Sequence, residues 1–170
     1  MKTIITTLIV LSTVMLAQAQ MPVWIQITGQ PESKMVLGEE YTKEEIIKKY
    51  GNIVNFSSFY DDEIYFTTIC LFEMKNHLML ETRDNKLGTF SFSDPNMELR
   101  MEEWGISIKP GDNVNDYLKL PKDKAFRIET YSDHITLYPV INGAPYDISI
   151  FLRFDEKDRK ITTIEWFEPV

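Results

Sequence analysis

The sequence predicts an α+β protein made of two tandem repeats. Each repeat is expected to be a helical segment plus a four-stranded antiparallel meander, the two forming one curved sheet with helices on one face. Two observations carry this. Asn76-His77-Leu78-Met79-Leu80 is echoed by Asp133-His134-Ile135-Thr136-Leu137, and Thr89-Phe90-Ser91-Phe92-Ser93-Asp94 by Ile150-Phe151-Leu152-Arg153-Phe154-Asp155. Each copy then closes on Glu-Trp, Glu103-Trp104 in the first and Glu165-Trp166 in the second. The expected division is a signal peptide over residues 1–19, an N-terminal arm or short strand over 20–35, repeat 1 over 36–104 and repeat 2 over 105–170.

Met1-Lys2 is a short positive start, Thr3 to Leu16 is apolar and uncharged, and Ala17-Gln18-Ala19 fits a small-x-small cleavage site. The apolar run is shorter than the ~20 residues of a spanning helix, so it reads as a removable export signal and the mature chain as lacking a transmembrane segment. No cysteine follows the cleavage site to take a lipid. Val23 to Thr28 then reads as a short strand ended by Gly29 and Pro31. Gly38 to Gly51 is the clearest helix. Thr42 with Glu45 makes a capping box, Glu44 and Glu45 open the helix, Lys48 and Lys49 close it, and Gly51 suits its end. Tyr65–Phe72, Leu78–Thr82, Thr89–Ser93 and Met97–Trp104 read as the four strands of repeat 1. Met97, Leu99 and Met101 alternate with Glu98, Arg100 and Glu102, giving one buried face and one wet face. In repeat 2, Pro110 to Leu120 holds a short helix stopped by Pro121. Phe126–Tyr131, Ile135–Pro139, Ile148–Phe154 and Ile161–Phe167 follow as strands, with Asn142-Gly143 as a turn signal.

The chain carries 18 basic and 26 acidic residues, a net charge of −8, one unit more negative once Lys2 is lost. Phosphate backbones would be repelled, which argues against nucleic acid; a basic protein partner is permitted. Cys70 is the single cysteine, so no internal disulfide forms; its apolar neighbours make it a buried, inert thiol. Asn55-Phe56-Ser57 matches a glycosylation sequon, a signal of low specificity. No HExxH, glycine-rich phosphate loop, CxxC or EF-hand loop is present. Asp133 and His134 are neighbours, and on a strand neighbours point to opposite faces, so they are not expected to form a dyad. The sequence therefore points to no enzyme, no cofactor and no metal.

Alternation assigns the wet face of the sheet. If Phe90, Phe92, Ile148, Ile150, Leu152 and Phe154 face the helices, the opposite face carries Arg83, Arg100, Trp104, Arg127, Tyr131, His134, Tyr138, Phe151 and Arg153, with His77, Met79, Glu81, Glu129 and Thr136 beside them. Tyr, Trp and Arg are the types enriched at binding hot spots, so these nine form the candidate protein-binding face. Trp166 is ambiguous, because Ile164 shares its parity.

The element order resembles the β-lactamase-inhibitor-protein-like fold. The repeat openings, Leu37-Gly38 through Thr42 to Ile47 to Tyr50-Gly51 and again Pro110-Gly111-Asp112 with Val114 and Leu118, are similar to the small outer-membrane-assembly lipoprotein family. Over Val36 to Phe167 the resemblance implies a noncatalytic protein-binding role on an exposed concave sheet. The lipidated cysteine of the one family and the disulfides of the other are missing, and no contact residues carry over. The Ala-Gln-Ala-Gln signal end looks like those of Bacteroidetes envelope proteins. The expected function is an exported, periplasmic or extracellular, binding module. An inhibitor or immunity protein is its sharpest version, an envelope structural or assembly factor the alternative, and a small hydrolase the last choice. The partner is an unidentified protein, and self-association is left open.

Overall fold

A computed structural model describes residues 23–64, 66–120, 126–141, 144–145 and 148–167. The signal segment and the Asn142-Gly143 turn lie outside the described residues. The order is β1 (Val23–Ile27), β2 (Gln30–Val36), α1 (Lys43–Tyr50), β3 (Ile53–Asp61), β4 (Thr67–Met74), β5 (Leu78–Arg83), β6 (Lys86–Phe92) and β7 (Met97–Met101). A 3-10 turn over Glu102–Trp104 leads to β8 (Ile106–Ile108), α2 (Val114–Tyr117), β9 (Phe126–Thr130), β10 (His134–Ile141), β11 (Ala144–Pro145), β12 (Ser149–Phe154) and β13 (Ile161–Phe167).

The larger sheet has nine strands. Eight run β3-β4-β5-β6-β13-β12-β10-β9, all antiparallel, and the two-residue β11 pairs with the far end of β10. Because side chains alternate across a strand, cross-strand partners share a face. One unbroken row, Ile128–Leu137–Ile150–Trp166–Phe90–Leu80–Phe72–Phe56, crosses all eight strands on the core side. Trp166 is 1% exposed and its ring stacks 6.1 Å from that of Phe90. Its parity conflict is resolved by a bulge: the register shifts between Arg153 and Phe154, so Ile161, Ile164 and Trp166 all reach the core.

The second sheet, β2-β1-β7-β8, contributes its own buried row of Met35, Ile25, Leu99 and Ile108. Both sheets share a single apolar core. The Val23 strand thus has a fixed place: it sits between β2 and β7, and α1 is tied to it where the Tyr50 hydroxyl donates to the Ile25 carbonyl at 3.2 Å. α1 itself is capped as its sequence dictates. The Glu45 amide donates to Thr42 Oγ1, and Glu45 Oε2 accepts from the Thr42 amide.

The predicted α+β pair of helix-plus-meander repeats is corrected. The described residues are mostly β, 59% strand against 11% helix, and they form two sheets rather than one sheet backed by helices. The physical reason is where β7 goes. Met97 to Met101 has the alternation expected of a half-buried strand, but it pairs with β1 and β8 instead of completing a meander with β4, β5 and β6. Its place beside β6 is taken by β13, and the opposite edge, next to β4, is filled by β3, a strand the sequence reading missed. The second sheet also crosses the predicted repeat boundary at residues 104 and 105, since β7 and β8 lie on either side of it. The core side of the large sheet is consequently covered in large part by strands.

A core position and its neighbour give a test of this packing. Trp166→Ala should lower unfolding stability by roughly 3–5 kcal/mol in denaturant titration, the range for a large buried aromatic. Phe167→Ala, at a position 48% exposed on the opposite face, should cost less than about 0.5 kcal/mol. Equal costs would contradict the assigned parity of β13.

Candidate functional site

The side of the large sheet away from the core runs from exposed Asn55, Glu73 and Met79 to half-buried Phe151 and Glu165 and buried Thr136. Its central row is Glu129–Thr136–Phe151–Glu165–Ser91–Met79–Glu73–Asn55, again crossing all eight strands. Met79 on this row is 57% exposed, and Leu71 beside it is 40% exposed.

Six of the nine expected face residues come together over β9, β10 and β12. His134 lies parallel to Tyr131, with ring centroids 4.5 Å apart and planes 11° from parallel, and contacts Phe151 at 5.7 Å. His134 Nδ1 donates to Asp133 Oδ1 at 2.8 Å, which requires the Nδ1 proton. Arg153 Nε donates to Glu165 at 2.7 Å, and its Nη1 lies 3.6 Å from Asp133. On the other flank, Glu129 is the acceptor for three donors. Tyr131 reaches it at 2.9 Å, Tyr138 at 3.3 Å and Arg127 at 2.5 Å, with Arg127 also 5.8 Å from the centre of the Tyr138 ring. A layer of stacked rings is thereby held between two charged clasps.

The hydrogen bonds set the charge states. The Tyr131 hydroxyl, with Arg127 and Tyr138, holds the Glu129 carboxyl below its ordinary value, while the same bond to Glu129 pushes the Tyr131 phenol up. The His134 hydrogen bond holds Asp133 down, and Glu165 pushes Arg153 further up. Burial, then Glu129, raises Tyr138. Glu129 and Glu165 therefore accept hydrogen bonds from tyrosine and arginine donors that stay protonated around neutral pH.

The expectation that Asp133 and His134 cannot meet is corrected. Asp133 lies in the β9–β10 turn, before the strand begins at His134, so the opposite-face rule does not apply to it. The His134 imidazole is bonded to Asp133, while its backbone carbonyl accepts from the Tyr131 amide at 2.9 Å. No group of three or more metal-ligating side chains occurs among the described residues.

Three expected residues do not join the cluster. Arg83 is on the same face but on β5, beyond β13 and β6, where its Nε holds Glu81 at 2.8 Å. Its guanidinium passes beside Gly88. Arg100 is on the outer face of the second sheet. There it lies 3.2 Å from Glu98, a buried carboxylate that also accepts from Gln26 and Ser107. Burial raises Glu98's pKa, but the hydrogen bonds from Gln26, Ser107 and Arg100 together outweigh that and hold it below normal. Trp104, in the 3-10 turn, packs edge-on against buried Phe126 at 4.9 Å, on the core side. Both misplacements follow from β7 leaving the large sheet.

Sequence reasoning missed the neighbouring groove, about 260 Å³ in volume, over β3 to β6. Exposed Leu71 and Met79 line it with Glu73, Glu81, Asn55 and Ser57. It depends on β3, whose mixture of Asn, Ser and Phe gave no alternating signal.

No protein-family model matches the chain, and no curated protein matches it. Two solved structures are similar to it. One is an extracellular protein containing an SCP domain from Bacillus anthracis, with a TM-score of 0.43 and 10% identity over 78% of this chain and 44% of that one. Another is a cysteine-rich secretory protein from Staphylococcus aureus, with a TM-score of 0.45 and 11% identity over 77% of this chain and 44% of that one. The chain spans less than half the length of either. The resemblance to the β-lactamase-inhibitor-protein-like fold and the outer-membrane-assembly lipoproteins is corrected accordingly. No family model supports it, and the similar structures are of other proteins. Neither likeness supports an inhibitory role.

Thr136 supplies the site's test. It is 1% exposed, lies between Glu129 and Phe151, and its hydroxyl has no hydrogen-bond partner among the described residues. Thr136→Val removes an unsatisfied buried hydroxyl and keeps the shape, so thermal denaturation should show a gain of about 1 kcal/mol. A loss of similar size would mean that the hydroxyl holds a partner in solution.

Proposed function

We propose that this chain is an exported, non-enzymatic protein-binding module that docks its partner on the open face of the large sheet. Export rests on the N-terminal pattern of positive start, apolar run and Ala-x-Ala, and delivers the chain to the periplasm or the outside. Among the described residues no helix is long and apolar enough to cross a membrane. The observation that carries the reading is the Tyr131–His134–Phe151 ring layer on the outer face of the large sheet, clasped at both ends by ion pairs. Rigid aromatics lose little side-chain entropy on binding, and side chains already locked by neighbours lose still less.

Charge favours a basic partner. The face carries Glu73, Glu81, Glu129, Asp133 and Glu165 against Arg83, Arg127 and Arg153, within a chain of net −8. Such a field speeds encounter, and the rings, once buried, supply affinity. The Asp133–His134 pair is a positioning device in this reading: it fixes the imidazole plane against Tyr131.

The test is a comparison of three folded proteins as bait against the envelope fraction of the native host. The unaltered chain should retain a protein that Tyr131→Ala/Phe151→Ala loses by at least tenfold, about 1.4 kcal/mol or more. Ile47→Ala, on α1 away from the face, should retain it unchanged. Retention that is indifferent to Tyr131 and Phe151 would remove the face from the account.

A further inference from the structure

The two edges of the large sheet are built differently. One edge, β9, is five residues long and carries Arg127 and Glu129, the kind of charged, short edge that resists pairing with another chain. The other edge, β3, is nine residues long, contains no Lys, Arg or Pro, and among the described residues pairs with one strand, β4. Its far side is a sheet edge of the kind another strand can join. Exposed apolar side chains gather along it: Val54 is 64% exposed, Phe59 49% and Tyr60 62%, and Phe66 in the following turn is 68% exposed. Cys70 and Ser58 face each other within the β3–β4 pair, Sγ to Oγ at 3.4 Å.

The strand is complementary to itself. Its middle, Asn55-Phe56-Ser57-Ser58-Phe59-Tyr60, places an aromatic on either side of a central serine pair. A two-fold axis normal to the sheet preserves faces, so antiparallel self-pairing about Ser58 sets Phe56 of one copy against Tyr60 of the other on the core side. Ser57 then meets Phe59 on the open side. Aromatic pairs of this kind are among the stabilising cross-strand partners. The charges at the two ends of β3 are opposite. Lys43 stacks on Phe56 at 3.9 Å and the Lys75 amide donates to the Asn52 carbonyl at the start of the strand, the two lysines outnumbering Glu73 opposite Asn55, while exposed Asp62 and Glu63 follow its end. Antiparallel pairing brings the basic end of each copy to the acidic end of the other, which offsets the repulsion expected between two chains of net −8.

We infer that β3 is the dimerisation edge of this protein, and that a second copy of the chain adds its own β3 there, antiparallel about Ser58, to continue the sheet across the two-fold. This does not rest on the open-face reading, and either can fail alone.

Sedimentation of the exported chain at about 100 μM should give twice the monomer mass, dissociating on dilution. Phe59→Lys/Tyr60→Lys, at two exposed positions, should give a monomer with an unchanged circular dichroism spectrum. Register is read by oxidation in a Cys70→Ser background. Ser58→Cys, on the axis, should form a disulfide-linked dimer, whereas Asn55→Cys, whose two copies would lie about 20 Å apart, should not. A chain that stays monomeric, a dimer indifferent to Phe59 and Tyr60, or equal cross-linking by both cysteines overturns the inference.

Discussion

The structure depends on a short seam. β6 and β13 pair over Phe92 with Ile164, Ser91 with Glu165, and Phe90 with Trp166. Through these three pairs the run β3 to β6 and the run β9 to β13 become one sheet. The seam is short in hydrogen bonds and rich in buried apolar surface. Phe90, Phe92, Ile164 and Trp166 are all 1% exposed or less, and the Phe90 and Trp166 rings stack. At about 25 cal/mol per Å² of apolar area buried, packing and not backbone pairing holds the two runs together. Both faces of the sheet are continuous only because this seam closes.

The period of two then separates duties. On the inner strands of the large sheet every second residue enters the core shared with the second sheet, which leaves the remaining residues free to differ. On β9, β10 and β12 they are rings and charges already bonded to one another. On β4 and β5 they are Leu71, Met79, Glu73 and Glu81 around a groove. One half of the face is thus preorganised and polar-aromatic, and the other is soft and apolar with acidic margins. A partner that touched both halves would cross the seam, so binding would be linked to the integrity of the whole sheet.

Local pattern was legible in the sequence, and long-range pairing was not. Alternation named the inward residues of β6 and β12 correctly, and capping residues placed α1, because both follow from chemistry within a few positions. Arg127, Tyr131, His134, Tyr138, Phe151 and Arg153 gather on one side because β9, β10 and β12 stay in the large sheet. Arg100 and Trp104 lie elsewhere because alternation tells which face a residue takes, not which sheet its strand joins. β3 was missed because an edge strand exposed on both faces has no alternation to show. The Asp133–His134 bond was missed because a one-residue shift of the turn decides whether the opposite-face rule applies.

Native-state hydrogen exchange at the seam tests this account most directly. The amides of Phe90 to Phe92 and Ile164 to Trp166 should open only with the whole molecule, with the same free energy and denaturant dependence as those of Leu80 and Leu152 on either side. Two separate plateaus, one for residues 53–92 and another for 126–167, would show that the halves open independently. That result would contradict a single sheet held by the Phe90–Trp166 seam.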